Sequence, residues 1–305
     1  MVAEDELAVV SPHRTAVAAL RMSGKRMFGR HDSEGNYRPL ADGVAASDGV
    51  VTLGGGVRLP FYQHLQLHGA FSGRVQQRQA PEPYPGTSSE SATSFGAGDA
   101  SLYVRWSALY DDQNGLFRKG ASPLPSLDLY TGAKAPTARF VNGPRARDAA
   151  RTMGDGTWGL IVGVRAIKYI TAAHAARISL RYDARFNRDA GTTTYTGYSA
   201  FSPGDQVGLT LAYLGLKGMR WMFGCAADFT FTLPSSARPV GGSFQTLSGT
   251  SMRETTLGAH LTHVLLMPRL DLTANVGYTL PLPKLSRNIS FEGLQGGLTL
   301  RYHVM

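Results

Sequence analysis

From Arg177 to Phe186 the sequence reads Arg-Ile-Ser-Leu-Arg-Tyr-Asp-Ala-Arg-Phe, apolar or aromatic at every even position and charged or hydroxyl-bearing at every odd one. A period of two held over this length fits an extended strand and no helix, because successive side chains of a strand point to opposite faces. One face of that strand is oily and the other strongly polar. The pattern recurs about a dozen times along the chain, and the charges keep to the polar parity. One such strand suits any half-buried sheet. A chain built of them predicts a closed, antiparallel, all-β transmembrane barrel with lipid outside and water inside.

Twelve strands are expected, at about residues 15–28, 49–59, 64–75, 98–110, 126–135, 158–169, 177–186, 206–216, 220–232, 254–264, 270–280 and 291–304. Arg26 and Lys168 depart from the parity; both lie near strand ends, where a long side chain reaches water. The connections after strands two, six, eight and ten are short, that after strand four (Asp111–Pro125) is longer, those after one, three, five, seven and nine are long and polar, and the last (Pro281–Ser290) is intermediate. Exported barrels show this asymmetry, with short periplasmic turns and long extracellular loops. An even strand number then places both termini on the periplasmic side. Residues 1–14 are expected to form a periplasmic segment and 15–305 the barrel.

No run approaches the uninterrupted apolar length of a spanning helix. The acidic start, Met1 to Leu7, lacks the basic and apolar regions of a signal peptide, so a leader is expected to have been removed. Aromatic residues predict two interfacial girdles. Tyr62, Trp106, Tyr110, Tyr169, Tyr213, Trp221 and Tyr302 fall near the inferred periplasmic ends. Phe28, Trp158, Phe186, Phe229, Phe231, Tyr278 and Phe291 fall near the outer ends.

Short motifs add a resemblance. Gly96-Ala97-Gly98-Asp99, opening a strand, resembles the Gly-x-Gly-Asp of outer-membrane transporter-like barrels associated with the phenol meta-cleavage pathway. Gly132-Ala133-Lys134-Ala135-Pro136-Thr137 is similar to their Gly-x-Lys-x-Pro-Thr-Gly strand end, with Ala138 in place of the last glycine. Gly204-Asp205 and the final Gly297-Leu298…Tyr302 also fit. The chain departs from such barrels at its end, Tyr302-His303-Val304-Met305, which lacks the terminal aromatic residue. The resemblance implies passage of small, often aromatic or hydrophobic, molecules across the outer membrane, and it brings no catalytic residue.

The inward parity is basic. It carries Arg21, Arg58, Arg74, Arg105, Lys134, Arg165, Arg177, Arg181, Arg185 and Arg301 against Asp99, Asp128, Asp183, Asp228, Glu254 and Asp271. Surplus guanidinium between low-dielectric walls concentrates anions, which predicts an anion-biased channel. The competing expectation is that these groups pair across strands and knit the wall together, for which Arg181, Asp183 and Arg185 are well placed. The selectivity candidates are Arg21, Arg58, Arg74, Arg105, Lys134, Arg165, Arg181, Asp183, Arg185, Asp228 and Arg301.

Other chemistry is poorly supported. The net charge of +9 is dispersed along strands, whereas nucleic-acid binding needs an accessible patch. Arg139, Arg145, Arg147 and Arg151 cluster in one loop, where they can meet lipopolysaccharide phosphates or narrow the pore. His64 and His68 share a face but stand roughly 13 Å apart along a strand, and His260 and His263 point oppositely, so no metal is expected. The single cysteine, Cys225, has outward parity and forms no intrachain disulfide. A barrel phospholipase needs an outward serine and histidine near the outer leaflet; His31-Asp32-Ser33 has the wrong parity and His263 lies towards the other end. No cofactor is expected. The expected partners are outer-membrane lipid and lipopolysaccharide, a small solute and the barrel-assembly machinery, with the chain a monomer. The leading function is a passive channel; the alternative is a barrel enzyme or a structural barrel with an occluded lumen.

Overall fold

The computed structural model describes residues 15–31, 36–39, 45–80, 90–109, 125–137, 156–171, 173–189, 198–218, 220–247, 251–266, 269–282 and 290–304. Twelve long strands dominate them. They are β1 (Ala16–His31), β2 (Ala45–Leu59), β3 (Tyr62–Ala80), β4 (Ala100–Leu109), β5 (Ser126–Ala135) and β6 (Gly159–Thr171), followed by β7 (His174–Arg185), β8 (Gln206–Lys217), β9 (Trp221–Thr232), β10 (Met252–Leu266), β11 (Leu270–Pro281) and β12 (Ser290–Val304). Each pairs antiparallel with the next, and β12 returns to β1 in a register running from Ala16 opposite Val304 to His31 opposite Ser290. The sheet is therefore closed, and closure leaves no long unpaired edge. Two further segments, Tyr37–Pro39 beside β1 and Glu90–Ala97 beside β3, extend the wall at one end.

The predicted parity holds throughout the wall, and it turns the usual order of burial inside out. The buried positions are mostly polar: Arg21, Thr52, Gln66, Ser72, Asp128, Thr262 and Thr273 all lie within the barrel. Leu53, Leu102, Leu180, Leu257 and Leu298 are exposed on the outside. A water-soluble domain would reverse these sets. An apolar belt around a polar interior is the solution for a barrel surrounded by hydrocarbon.

At one end lie both described termini and the tight turns. Pro60 and Phe61 join β2 to β3, and Gly218, at φ 66°, turns the chain between β8 and β9, a conformation that favours glycine. The connection from β4 to β5, residues 110–125, is the long exception at this end; the other long connections leave from the opposite, loop end. There Arg188–Asp189, Tyr198–Ser202, Ser236–Pro239 and Gln245–Thr246 form a separate four-stranded sheet where the sequence predicts only loops. Segments of two to five residues are too short to declare a period of two.

The fourth stave also differs from expectation. It does not begin at Gly98: Glu90–Ala97 continues it towards the loop end, paired with β3 from Gly73 opposite Ala97 to Ala80 opposite Glu90. A break at Gly98-Asp99 separates this segment from β4. The Gly98 N–H donates to the Ser72 carbonyl at 2.6 Å, and any Cβ at Gly98 would clash with the Ser72 hydroxyl. The extension reads Glu-Ser-Ala-Thr-Ser-Phe-Gly-Ala, without an oily parity. A strand that stands clear of the apolar belt has no reason to alternate, so periodicity does not reveal it.

Candidate functional site: the barrel lumen

The inward charges do not converge on one centre; they form ion pairs at two levels of the pore. Near the turn end, Asp128 on β5 lies between Arg105 on β4 and Arg165 on β6. Arg105 Nη2 bonds Asp128 Oδ2, Arg165 donates to Oδ2 from Nη2 at 2.8 Å and Nε at 3.1 Å, and the Ser107 hydroxyl donates to Oδ1 at 2.8 Å. All four residues are buried. At a similar level across the barrel, Asp271 on β11 accepts from Arg301 Nε at 2.8 Å and meets His303 Nε2 at 2.7 Å. Arg301 also donates to the Thr273 hydroxyl at 3.0 Å.

Nearer the loop end, Arg181 grips Asp183 through two bonds of 2.9 and 2.6 Å. These partners stand two apart on the same strand, whereas the ladder anticipated from sequence runs between strands. Lys134 faces Asp99 at 3.7 Å. Asp228 accepts from the Thr210 hydroxyl at 2.6 Å. Arg21 is buried at mid-wall opposite Thr52 and Thr299. Arg58 lies at the turn end opposite Gln66, and Arg74 at the loop end opposite Gly96. Arg185 closes β7 at the loop end, where its backbone N–H donates to Asp205 Oδ1 at 2.9 Å.

Side-chain volume divides the lumen into two unequal halves. On the β3–β6 side, Tyr103, Tyr130 and Ile161 form a buried cluster. His68, Tyr103, Arg105, Tyr130 and Arg165 leave a space of about 10 Å³ among them, room for one water at most. Cross-strand glycines accommodate the tyrosines. Tyr103 stands opposite Gly132 and Tyr130 opposite Gly163, and a Cβ at either glycine would run into the ring of its partner. Each ring thus lies against the wall over the bare backbone. His260 over Gly224 and Gln295 over Gly277 repeat the device on the other side.

The inward positions of β8–β11 include Gly208, Ala212, Gly224, Ala226, Gly258 and Gly277, a wall of small side chains. This size asymmetry was overlooked at the level of charge patterning. It was visible in the parity, since Tyr103 shares its face with Ser101 and Arg105.

Several other expectations find a definite place. Tyr62, Trp106, Tyr213, Trp221 and Tyr302 are exposed at the turn end, and Phe28, Trp158 and Phe186 at the loop end. Tyr169 does not join the first girdle. It stands opposite Ala175, a buried inward position, and shares its parity with Arg165, so it faces the lumen. Inward His260 packs at Gly224, and outward His263 sits on the Trp221 ring at 4.1 Å between centroids. Among the described residues, no three His, Cys, Asp or Glu side chains are grouped to hold a metal ion. Residues 1–14, Tyr110, the Phe291 side chain, the arginine cluster from Arg139 to Arg151, and Asp32-Ser33 fall outside the described residues.

The motifs that carried the resemblance meet in space. The Thr137 hydroxyl donates to the Gly98 carbonyl at 2.7 Å, next to the Asp99–Lys134 contact. The strand-opening motif and the strand-ending motif thus form one joint between the fourth and fifth staves. Gly204-Asp205 is a second joint: a Cβ at Gly204 would collide with the Leu233 carbonyl, while Asp205 accepts from the Tyr182 hydroxyl.

No family model matches the sequence, and neither does any curated protein. Among solved structures, the chain is similar to the COG4313 outer membrane channel from Pseudomonas putida F1, with a TM-score of 0.69 at 11% identity over 100% of this chain and 99% of that one. It is similar also to the translocator domain of the autotransporter NalP from Neisseria meningitidis, with a TM-score of 0.50 at 10% identity over 94% of this chain and 88% of that one. Such identities speak for the fold alone. The chain has the fold of the outer-membrane barrels: a closed, twelve-stranded antiparallel wall, apolar outside and polar within.

Proposed function

We propose that this chain is an outer-membrane channel for small molecules, biased towards anions. The observation that carries the proposal is a closed barrel whose inward cations outnumber its inward carboxylates. Asp128, Asp183 and Asp271 each engage arginine, so the structural network accounts for part of the basic lining. Summed over the whole lining, the excess of inward arginine and lysine over inward carboxylates gives the lumen a positive potential. The solute path runs along the small-residue wall of β8–β11, because Tyr103, Tyr130 and Ile161 occupy the facing side. Aromatic solutes are the class implied by the resemblance to the meta-cleavage barrels.

Purified protein in a planar bilayer tests the proposal. Stepwise conductance is expected, with a reversal potential displaced towards the anion equilibrium and a smaller displacement in Arg181→Gln/Arg185→Gln. Ala226→Trp, on the small-residue wall, should lower the conductance several-fold. Absence of conductance at every voltage would refute the channel and leave a barrel with an occluded lumen.

A further inference from the structure

One feature of the outer wall is unused by a pore. An apolar groove of about 880 Å³ crosses β6–β10 on the outside of the barrel. Most of its lining has outward parity, at 166 and 168, 176 and 178, 211 and 213, 225 and 227, and 257, with Arg177, Ala212, Ala226 and Gly258 of the wall between them, so the groove opens outward. Strand register shows how it forms. One row across the wall reads Ala166, Ile178, Leu211, Ala227 and Leu257; the next row towards the turn end reads Lys168, Ala176, Tyr213, Cys225 and Ala259. Alanine and cysteine provide the depth, and Ile178, Leu211 and Leu257 flank it. Behind it the inward residues are Ala212, Ala226 and Gly258, so the wall is thin on both faces.

The same rows contain Lys168, a charge on the oily parity. It stands three residues from the end of β6, at the turn end of the groove. From there its stem can lie along the apolar surface while the ammonium reaches headgroup level. Lys217 and Arg220, both exposed, flank the adjacent β8–β9 turn, and Tyr213 and His174 join by hydrogen bond in the row beside Lys168. An acyl-sized apolar trough beneath a cationic, aromatic rim is complementary to a lipid that has an anionic headgroup.

The geometry points to a binding site for one glycerophospholipid of the turn-end leaflet, its acyl chain in the groove between Ala176, Cys225 and Ala227 and its phosphate at Lys168. The inference goes beyond solute passage and rests on the membrane reading of the barrel. The site lies on the outer wall, so lipid binding there does not obstruct the pore.

The test uses the full chain inserted into phosphatidylethanolamine–phosphatidylglycerol vesicles, floated with them, extracted in mild detergent and weighed by native mass spectrometry. One phosphatidylglycerol per chain should survive extraction. Lys168→Gln should lower the retained fraction roughly tenfold, the loss of one charge-assisted contact. Ala227→Trp should abolish retention by filling the trough. A second probe is independent of assembly: a bulky maleimide adduct at Cys225, the only cysteine of the chain, formed on the folded wild-type barrel, should abolish it equally. Equal retention by wild type, Lys168→Gln and the Cys225 adduct would overturn the site. So would a two-chain mass that replaces bound lipid, since the groove would then belong to a second copy. Failure of the wild type to float with vesicles would instead overturn the membrane reading itself.

Discussion

Replacement of Asp128 by asparagine should be among the most disruptive isosteric changes available to this barrel. The side chain keeps its shape and loses its charge, between two guanidinium groups that are themselves 8–9% exposed. Asp128 accepts three bonds from Arg105 and Arg165 and one from Ser107. Charge-assisted hydrogen bonds contribute ~1.5–3 kcal/mol each, but the asparagine carbonyl retains weaker versions of some of them. Measured losses on removing one partner of a buried pair are about 3–5 kcal/mol, and most of that loss comes from the charges left behind. The expected destabilisation is therefore about 3–5 kcal/mol, read by urea unfolding of the barrel in vesicles. A companion variant separates orphaned charge from lost packing. Arg105→Met/Asp128→Leu/Arg165→Met removes all three charges and should recover most of the stability, because well-packed apolar replacements of buried ion networks are often neutral or better. A loss below about 1 kcal/mol for Asp128→Asn, or a triple variant as unstable as the single one, would refute the charge-orphaning argument.

Gly132→Val should displace the Tyr103 ring from the wall into the lumen, lowering single-channel conductance and costing about 1–3 kcal/mol of overpacking. Tyr103→Ala in the same background should restore the current, and unchanged conductance in Gly132→Val would contradict the ring-over-glycine geometry. Leu298→Arg puts a charge on an exposed outward position of β12 and should destabilise the inserted barrel by about 2–4 kcal/mol if that position is at mid-bilayer; a neutral result by urea titration would count against the lipid-facing belt.

The periodicity of Arg177–Phe186 and its counterparts was enough to predict closed-barrel staves, because each strand face meets one solvent and a one-residue slip would reverse every side chain. Nearly all the inward and outward residues of β1 to β12 were legible on that basis. What escaped was whatever lacks two different solvents on its two faces. Glu90–Ala97 and the four-stranded loop-end sheet carry no alternation, so their pairing shows only in the folded chain. Tyr169 was assigned to a girdle from its distance to a strand end, whereas its register opposite Ala175 decides its direction. Arg181 and Asp183 were expected to pair across to neighbouring strands, whereas they bond each other along one strand.

The alternating sequence by itself determined which side of the wall each residue faces, because that property is local and repeats every two residues. Tertiary structure alone decided which of those residues meet. Strand register brought Tyr103 over Gly132, placed Asp128 between Arg105 and Arg165, and lined up Ala166, Ala176, Cys225 and Ala227 from separate strands into one outward groove. The period of two limits register to even shifts, and the pairing of distant segments around a closed sheet chooses among them.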